Sequence, residues 1–63
     1  MSYQKTVNEI LEKFLPGKSN LATKVKILHE DAVTMTLQFS VEGTTHIIKA
    51  ISEGSDWSIH EQR

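Results

Sequence analysis

The sequence contains no cysteine, and this absence excludes three kinds of chemistry at once. Disulfide bonds, thiolate zinc sites and cysteine nucleophiles all depend on that residue. A chain without cysteine suits a reducing compartment, so we expect a cytoplasmic protein. We expect neither a signal peptide nor a membrane span, because residues 1–5 lack an apolar stretch and no apolar run approaches the roughly 18 to 20 residues that cross a bilayer.

The chain also has no excess of charge of either sign. Seven lysine and arginine residues stand against eight aspartate and glutamate residues, which gives a formal net charge of −1. No field of the whole molecule would therefore draw it to nucleic acid or to a membrane. Its 63 residues, 38% of them hydrophobic, supply one thin core and leave nothing to wall a deep cleft. We expect a single domain over residues 1–63.

The first segment has the pattern of an amphipathic helix. Its apolar residues recur at helical spacing and fall on one face. They are Tyr3, Val7, Ile10, Leu11 and Phe14. The Leu15-Pro16-Gly17 sequence predicts the end of the helix, because proline disfavours helical dihedrals in the residue before it. So short a helix is marginal alone, so its apolar face must pack against another element.

The rest of the chain alternates with period two, which predicts strands. Residues 33–41 alternate without an error, apolar at odd positions and small or polar at even positions. The odd side chains are Val33, Met35, Leu37, Phe39 and Val41. This strand should be buried on its odd side only, against the helix.

Pairing follows from the turns between the predicted strands. A turn over residues 30–32 keeps lysines out of the core and predicts His29 opposite Val33, Ile27 opposite Met35 and Val25 opposite Leu37. A two-residue Glu42-Gly43 loop predicts Val41 opposite Thr44, Phe39 opposite His46, Leu37 opposite Ile48 and Met35 opposite Ala50. A bulged turn would instead exchange the two faces of the third strand, and this alternative stays open. A Glu53-Gly54 loop predicts Trp57 opposite Ala50 and Ile59 opposite Ile48.

The predicted fold class is α+β: an N-terminal helix packed on one face of a four-stranded antiparallel β-meander, in the order α-β-β-β-β. This order resembles that of cystatin-like folds in miniature, although the cystatin loop sequence is absent. A likeness at the level of fold implies no function.

No pattern in the sequence predicts catalysis, a metal or a cofactor. His29, His46 and His60 lack chelating spacing, and the predicted registers keep them apart. Neighbouring carboxylates lie in turns, where they are usually solvated. Gly17-Lys18-Ser19 resembles the end of a phosphate-binding loop but lacks the upstream glycine, the preceding strand and the following helix. We therefore expect no catalytic, metal-binding or cofactor-binding residues, and not an enzyme.

The sheet face turned away from the helix is the candidate functional surface. It should mix lysines and hydroxyls with apolar side chains, and Asp56 should be its only acid, at the rim. The candidate interface residues are Leu28, Thr34, Thr36, Gln38, Ile47, Lys49 and Ile51. We expect a small binding or regulatory protein that acts through this face or an edge strand, as a homodimer or with another protein.

Two other functions remain open at this point. Lys24, Lys26 and Lys49, with neighbouring hydroxyls, could contact a phosphate backbone, which predicts weak and salt-sensitive binding of nucleic acid. An enzyme whose site is shared between two subunits is the third hypothesis.

Overall fold

One helix and four strands make up the fold. The computed structural model describes residues 3–62, with side chains from residue 5 onward, so the Tyr3 side chain lies outside the described part. The elements are α1 (Tyr3–Phe14), a short 3-10 turn (Ser19–Leu21), β1 (Ala22–Glu30), β2 (Thr34–Val41), β3 (Thr44–Glu53) and β4 (Asp56–Gln62). The strands form one antiparallel sheet in the order β1-β2-β3-β4. The predicted α+β order is confirmed.

The core lies between α1 and the central strands. Its fully or nearly fully buried side chains are Val7, Ile10, Leu11, Met35, Leu37, Phe39, Ile48 and Ala50. Odd positions 35, 37 and 39 of β2 thus face the helix as predicted, and Val41 packs against the core at its edge. The assignment of Val33 to the core is wrong, because 54% of its surface is exposed.

The turn after α1 is held by a side chain of the helix itself. Glu12 accepts hydrogen bonds from the backbone N–H of Gly17 at 2.6 Å and from the Ser19 hydroxyl at 2.8 Å. Gly17 has a φ of 74°, a conformation that glycine adopts without steric cost. The helix therefore ends at Leu15-Pro16-Gly17 as predicted, and the chain turns directly towards β1.

The predicted register of the first hairpin is wrong. The structure pairs Ile27 with Leu37 instead of Met35, and Val33 lies in the turn, where it pairs with no residue of β1. The cause is Asp31, whose carboxylate accepts the N–H groups of Val33 at 3.0 Å and Thr34 at 2.9 Å. Such a turn, built on an aspartate side chain, competes effectively with simple strand pairing.

Two irregularities in β1 reconcile this turn with the hydrophobic pattern. With uninterrupted pairing from the turn, Lys26 would face Phe39 on the core side. A shift between Ile27 and His29 leaves Leu28 as an extra residue, so Lys26 pairs with Gln38 instead. A second shift between Thr23 and Lys26 includes Lys24, which has a φ of 55°. The first of these bulges keeps Lys26 out of the core.

The second hairpin has the predicted register, and the third is offset. β2 and β3 pair as expected through the Glu42-Gly43 loop, including Phe39 with His46 and Leu37 with Ile48, so the bulged alternative is wrong. In the third hairpin Glu53 pairs with Asp56, which makes Gly54 and Ser55 the loop. The predicted pairing of Trp57 with Ala50 and of Ile59 with Ile48 is therefore wrong by two residues. Both side chains keep their predicted face, since strand faces alternate with period two.

Candidate binding surfaces

The face of the sheet turned away from α1, here called the open face, is arranged in cross-strand rows. One row runs from β1 to β4 through Lys26, Gln38, Ile47 and Gln62. The next row runs through His29, Thr36, Lys49 and His60. Side chains directly opposite one another in a sheet lie on the same face and interact. The open face thus presents amides, hydroxyls, lysines and histidines around two isoleucines.

The structure brings six of the seven candidate interface residues together on this face. Thr34, Thr36 and Gln38 of β2 pair with Ile51, Lys49 and Ile47 of β3, respectively. Lys49 is exposed and the other five are half-buried. Leu28 is separated from them, because it is the extra residue of the β1 bulge. Of the candidate nucleic-acid contacts, Lys26 and Lys49 share the open face, whereas Lys24 lies in the second bulge.

Carboxylates lie away from the central rows of the open face. Asp56, predicted at its rim, instead forms an ion pair with Lys13 of α1 at 2.8 Å. Glu61 lies on the helix side, where it contacts the ring of His46 at 2.8 Å. Asp31 lies in the first turn and contacts His29 at 3.2 Å. The two central rows are consequently cationic or neutral.

The three histidines stay apart, as the sequence predicts, although the position of His29 differs. His29 lies opposite Thr36 on the open face, not opposite Val33. His60 lies on the same face three strands away, about 14 Å at the usual strand spacing. His46 stacks on Phe39 on the helix side, with ring centroids 5.7 Å apart. Within the described residues no group of three or more histidine, aspartate or glutamate side chains is arranged to hold a metal ion.

Three carboxylates have a lowered pKa because each accepts hydrogen bonds. The Gly17 N–H, followed by the Ser19 hydroxyl, lowers the pKa of Glu12. The Val33 N–H makes the largest contribution to lowering the pKa of Asp31, followed by His29. Lys13 and then the Trp57 N–H lower the pKa of Asp56. These shifts hold the carboxylates ionised in structural roles at turns, the opposite of what a general acid requires.

A concavity of about 1280 Å³ runs along the polar side of α1. Its lining is mostly charged or polar: Lys5, Asn8, Glu9, Glu12, Lys13, Ser19, Asn20, Ser55, Asp56 and Trp57. Two of its three carboxylates are already engaged, Glu12 with the turn after α1 and Asp56 with Lys13. It therefore does not supply the desolvated carboxylate pair of an acid–base site.

The exposed apolar side chains concentrate at the other edge of the sheet. All five large hydrophobic residues that the described part of the chain exposes lie between positions 21 and 33. They are Leu21 (39%), Val25 (37%), Ile27 (40%), Leu28 (49%) and Val33 (54%). We call these five residues the β1 surface.

A shallow groove of about 250 Å³ joins the β1 surface to the helix. Val7, Asn8 and Leu11 line its helix side, Ala22, Val25 and Ile27 line its strand side, and Ser19 of the 3-10 turn completes the lining. The groove exists because a helix is about 10 Å across, whereas four strands span nearly twice that width. Helix α1 covers the central strands and leaves β1 without a single buried residue.

The sequence does not point to the β1 surface, although one of its residues is a predicted interface residue. Val25 and Ile27 have the alternation of core residues, and only the width of one helix against four strands exposes them. Val33 belongs to an error-free alternating run, and only the Asp31 turn removes it from the core. The sequence does contain an indirect signal for this surface: it predicts only one short helix, which is too narrow to cover a four-stranded sheet.

Three exposed lysines lie in the same part of the chain as the β1 surface. Lys18 precedes the 3-10 turn, and Lys24 and Lys26 lie on β1 itself; all three are exposed. None of the three forms an ion pair with another described residue. Long lysine side chains leave nearby apolar surface accessible while presenting positive charge.

Comparison with known proteins adds no relative. No protein-family model, no curated protein and no solved structure matches this chain. Nor does any helix of the described residues have the length and apolar character needed to cross a membrane.

Proposed function

We propose that this protein is a binding module that docks a segment of another protein on the β1 surface. The observation that carries the proposal is the concentration of all the described exposed large hydrophobic residues at positions 21–33, next to a groove in whose lining apolar residues outnumber polar ones. Contiguous exposed apolar area rimmed by polar residues is typical of interaction sites on small domains. The absence of cysteine supports a cytoplasmic setting for this activity.

The chemistry of the surface indicates what kind of segment fits it. Val25 and Ile27 offer apolar contacts to side chains entering the groove, and the nearby Lys18, Lys24 and Lys26 have no carboxylate partner among the described residues. A segment with apolar residues flanked by acidic residues satisfies both features. Apolar burial would supply most of its affinity, and the charges would mainly increase the association rate and the selectivity.

The test is a titration of ¹⁵N-labelled protein with synthetic peptides, followed by amide chemical shifts. The probe peptide has leucines separated by pairs of glutamates. One control peptide replaces the glutamates with lysines, and the other replaces the leucines with serines. We expect saturable shifts in β1 and at Val7 and Leu11 with the probe peptide, and much weaker shifts with either control.

Matched protein variants locate the site. Ile27→Ser alters the β1 surface. Ile47→Ser makes the same substitution at another partly exposed strand position, on the open face. We expect Ile27→Ser to abolish the shifts and Ile47→Ser to preserve them. The reverse result would transfer the function to the open face, and equal binding of all three peptides would refute the proposed chemistry.

A second candidate function rests on a different observation, the lack of carboxylates in the central rows of the open face. Lys26 and Lys49 lie there among threonine, glutamine and serine side chains, the groups that contact phosphates. Binding of duplex DNA through so few lysines would be weak, with a salt dependence corresponding to about two or three phosphate contacts. Fluorescence anisotropy tests it by comparing the affinities of the wild type and Lys49→Gln for duplex DNA at several salt concentrations. An affinity that the substitution leaves unchanged would exclude this face.

A further inference from the structure

The two outer strands of the sheet differ in how their free edges are built. β1 has two bulges and carries Lys24 and Lys26, and both features discourage pairing with another strand. β4 pairs with β3 in an unbroken register from Glu53–Asp56 to Ile47–Gln62 and contains neither lysine nor proline. Among the described residues, β4 is therefore the regular and less protected edge.

The third hairpin determines which backbone groups of β4 point outward. Its two-residue loop makes Glu53 and Asp56 the first hydrogen-bonded pair, and such pairs then alternate along the strands. Ser58 and His60 consequently bond to β3, whereas Trp57, Ile59 and Glu61 direct their N–H and C=O groups away from the sheet. The Trp57 N–H donates to Asp56 Oδ1 at 2.8 Å, which leaves the outward N–H groups of Ile59 and Glu61 available for a new strand.

We propose that β4 of a second copy of this chain occupies this edge, antiparallel, with the twofold axis at Ile59. In this register Ile59 faces its own counterpart, and Trp57 faces Glu61 of the second copy on the helix side. On the open face Ser58 faces His60 of the second copy, two groups that already hydrogen-bond within the strand at 3.0 Å. No like charges lie directly opposite one another.

Neighbouring registers are less favourable for identifiable reasons. An axis at Glu61 would place two carboxylates directly opposite each other, which is destabilising. An axis at Trp57 or Ser58 would place the Trp57 N–H, which Asp56 already binds, in a central pair, whereas the Ile59 register needs this group only at its two ends. An axis at His60 would set the two His60 rings opposite each other and lose the contact between the two Ile59 side chains. The Ile59 register uses both free N–H groups, keeps like charges apart and adds apolar contact between the two half-buried Ile59 side chains.

The resulting dimer is an eight-stranded sheet with both helices on one side. A stable interface usually covers about 800 Å² per partner, nearly a fifth of the 4365 Å² exposed by one protomer. Pairing of one short strand covers less than this, so the dimer should dissociate on dilution. The two β1 surfaces lie at opposite ends of the sheet, which makes the dimer a bivalent form of the docking module. The dimer does not depend on the proposed docking function.

Sedimentation velocity over a wide concentration range tests the dimer. Ser58→Glu with His60→Glu places carboxylates opposite each other across the interface, and Ser58→Lys with His60→Glu places opposite charges there. We expect a concentration-dependent dimer for the wild type, a dissociation constant raised about tenfold in the first variant, and a lowered one in the second. Circular dichroism verifies that both double variants fold.

Cysteine cross-linking gives an independent measure of the register, since the natural chain has no cysteine. Ile59→Cys should form a disulfide-linked dimer under mild oxidation, because the twofold axis brings these positions within disulfide distance. Glu61→Cys should not, because its two copies lie four residues apart along the paired strands. Three results would overturn the proposal: a wild-type monomer at every concentration, a dimer insensitive to both double variants, or cross-linking through Glu61→Cys instead of Ile59→Cys.

Discussion

Two leucines in different surroundings provide a direct test of where the core ends. Leu37 is fully buried at the centre of β2, and Leu28 in the β1 bulge is 49% exposed. Replacing either by alanine deletes the same atoms. We expect Leu37→Ala to lower the free energy of unfolding by about 3 to 5 kcal/mol and Leu28→Ala by less than about 1 kcal/mol.

These values are large on the scale of this protein. A domain of 63 residues usually has a total stability of about 3 to 9 kcal/mol. Leu37→Ala should therefore approach or cross the limit of folding at room temperature, whereas Leu28→Ala should unfold much like the wild type. The difference depends only on burial, because the chemical change is identical.

Urea denaturation followed by the fluorescence of Trp57, the single tryptophan of the chain, measures both variants. If Leu37→Ala does not fold, Ile48→Val and Ile27→Val give the same contrast with a smaller loss of stability, since Ile48 is fully buried and Ile27 is 40% exposed. Equal losses in either matched pair would refute the assignment of the core to α1, β2 and β3 with β1 outside it.

Three further predictions concern turns and charges. Glu42 has a φ of 51° before Gly43, a conformation that asparagine tolerates and that Asn-Gly hairpin turns favour. Glu42→Asn should therefore raise the free energy of unfolding by about 1 kcal/mol. A urea titration that shows no gain in stability would contradict this. The lowered pKa of Asp31, caused first by the Val33 N–H, means that its carboxylate stabilises the fold above its unfolded pKa and loses that effect as pH falls through the lower folded value. The Tm difference between wild type and Asp31→Asn should thus be present at neutral pH and disappear in strong acid, and a constant difference would contradict it. The Lys13–Asp56 ion pair is solvent-exposed, so Lys13→Met should leave Tm nearly unchanged, and a large drop would show that this pair holds α1 to β4.

Period and turn composition predict most of the fold. Helical spacing and the Leu15-Pro16-Gly17 stop define α1, and alternation defines β2 and the faces of β3. Both residues of the Glu42-Gly43 loop have a positive φ. The glycine predicts such a two-residue turn from the sequence, and the turn determines the register of the hairpin. These features are local, and local patterns are what a single sequence records well.

The errors arise where two local rules compete or where geometry is not local. The turn that the Asp31 side chain stabilises forms in place of the predicted strand pairing. The bulge at Leu28 then returns the β1 side chains before it to the faces that the alternation predicts. In the third hairpin, Glu53-Gly54 and Gly54-Ser55 are both plausible loops, and both keep Trp57 on the same face. The exposure of Ile27 follows from the width of one helix over four strands, which no residue pattern expresses.

The central claim is that the uncovered apolar side of β1 carries the function. Isothermal titration calorimetry at several temperatures, with the leucine–glutamate peptide and the wild-type, Ile27→Ser and Ile47→Ser proteins, tests it most directly. Burial of apolar surface on binding gives a negative heat-capacity change. We expect that signature for the wild type and Ile47→Ser, and its loss in Ile27→Ser. Undiminished binding by Ile27→Ser, or binding without a heat-capacity change, would contradict the claim.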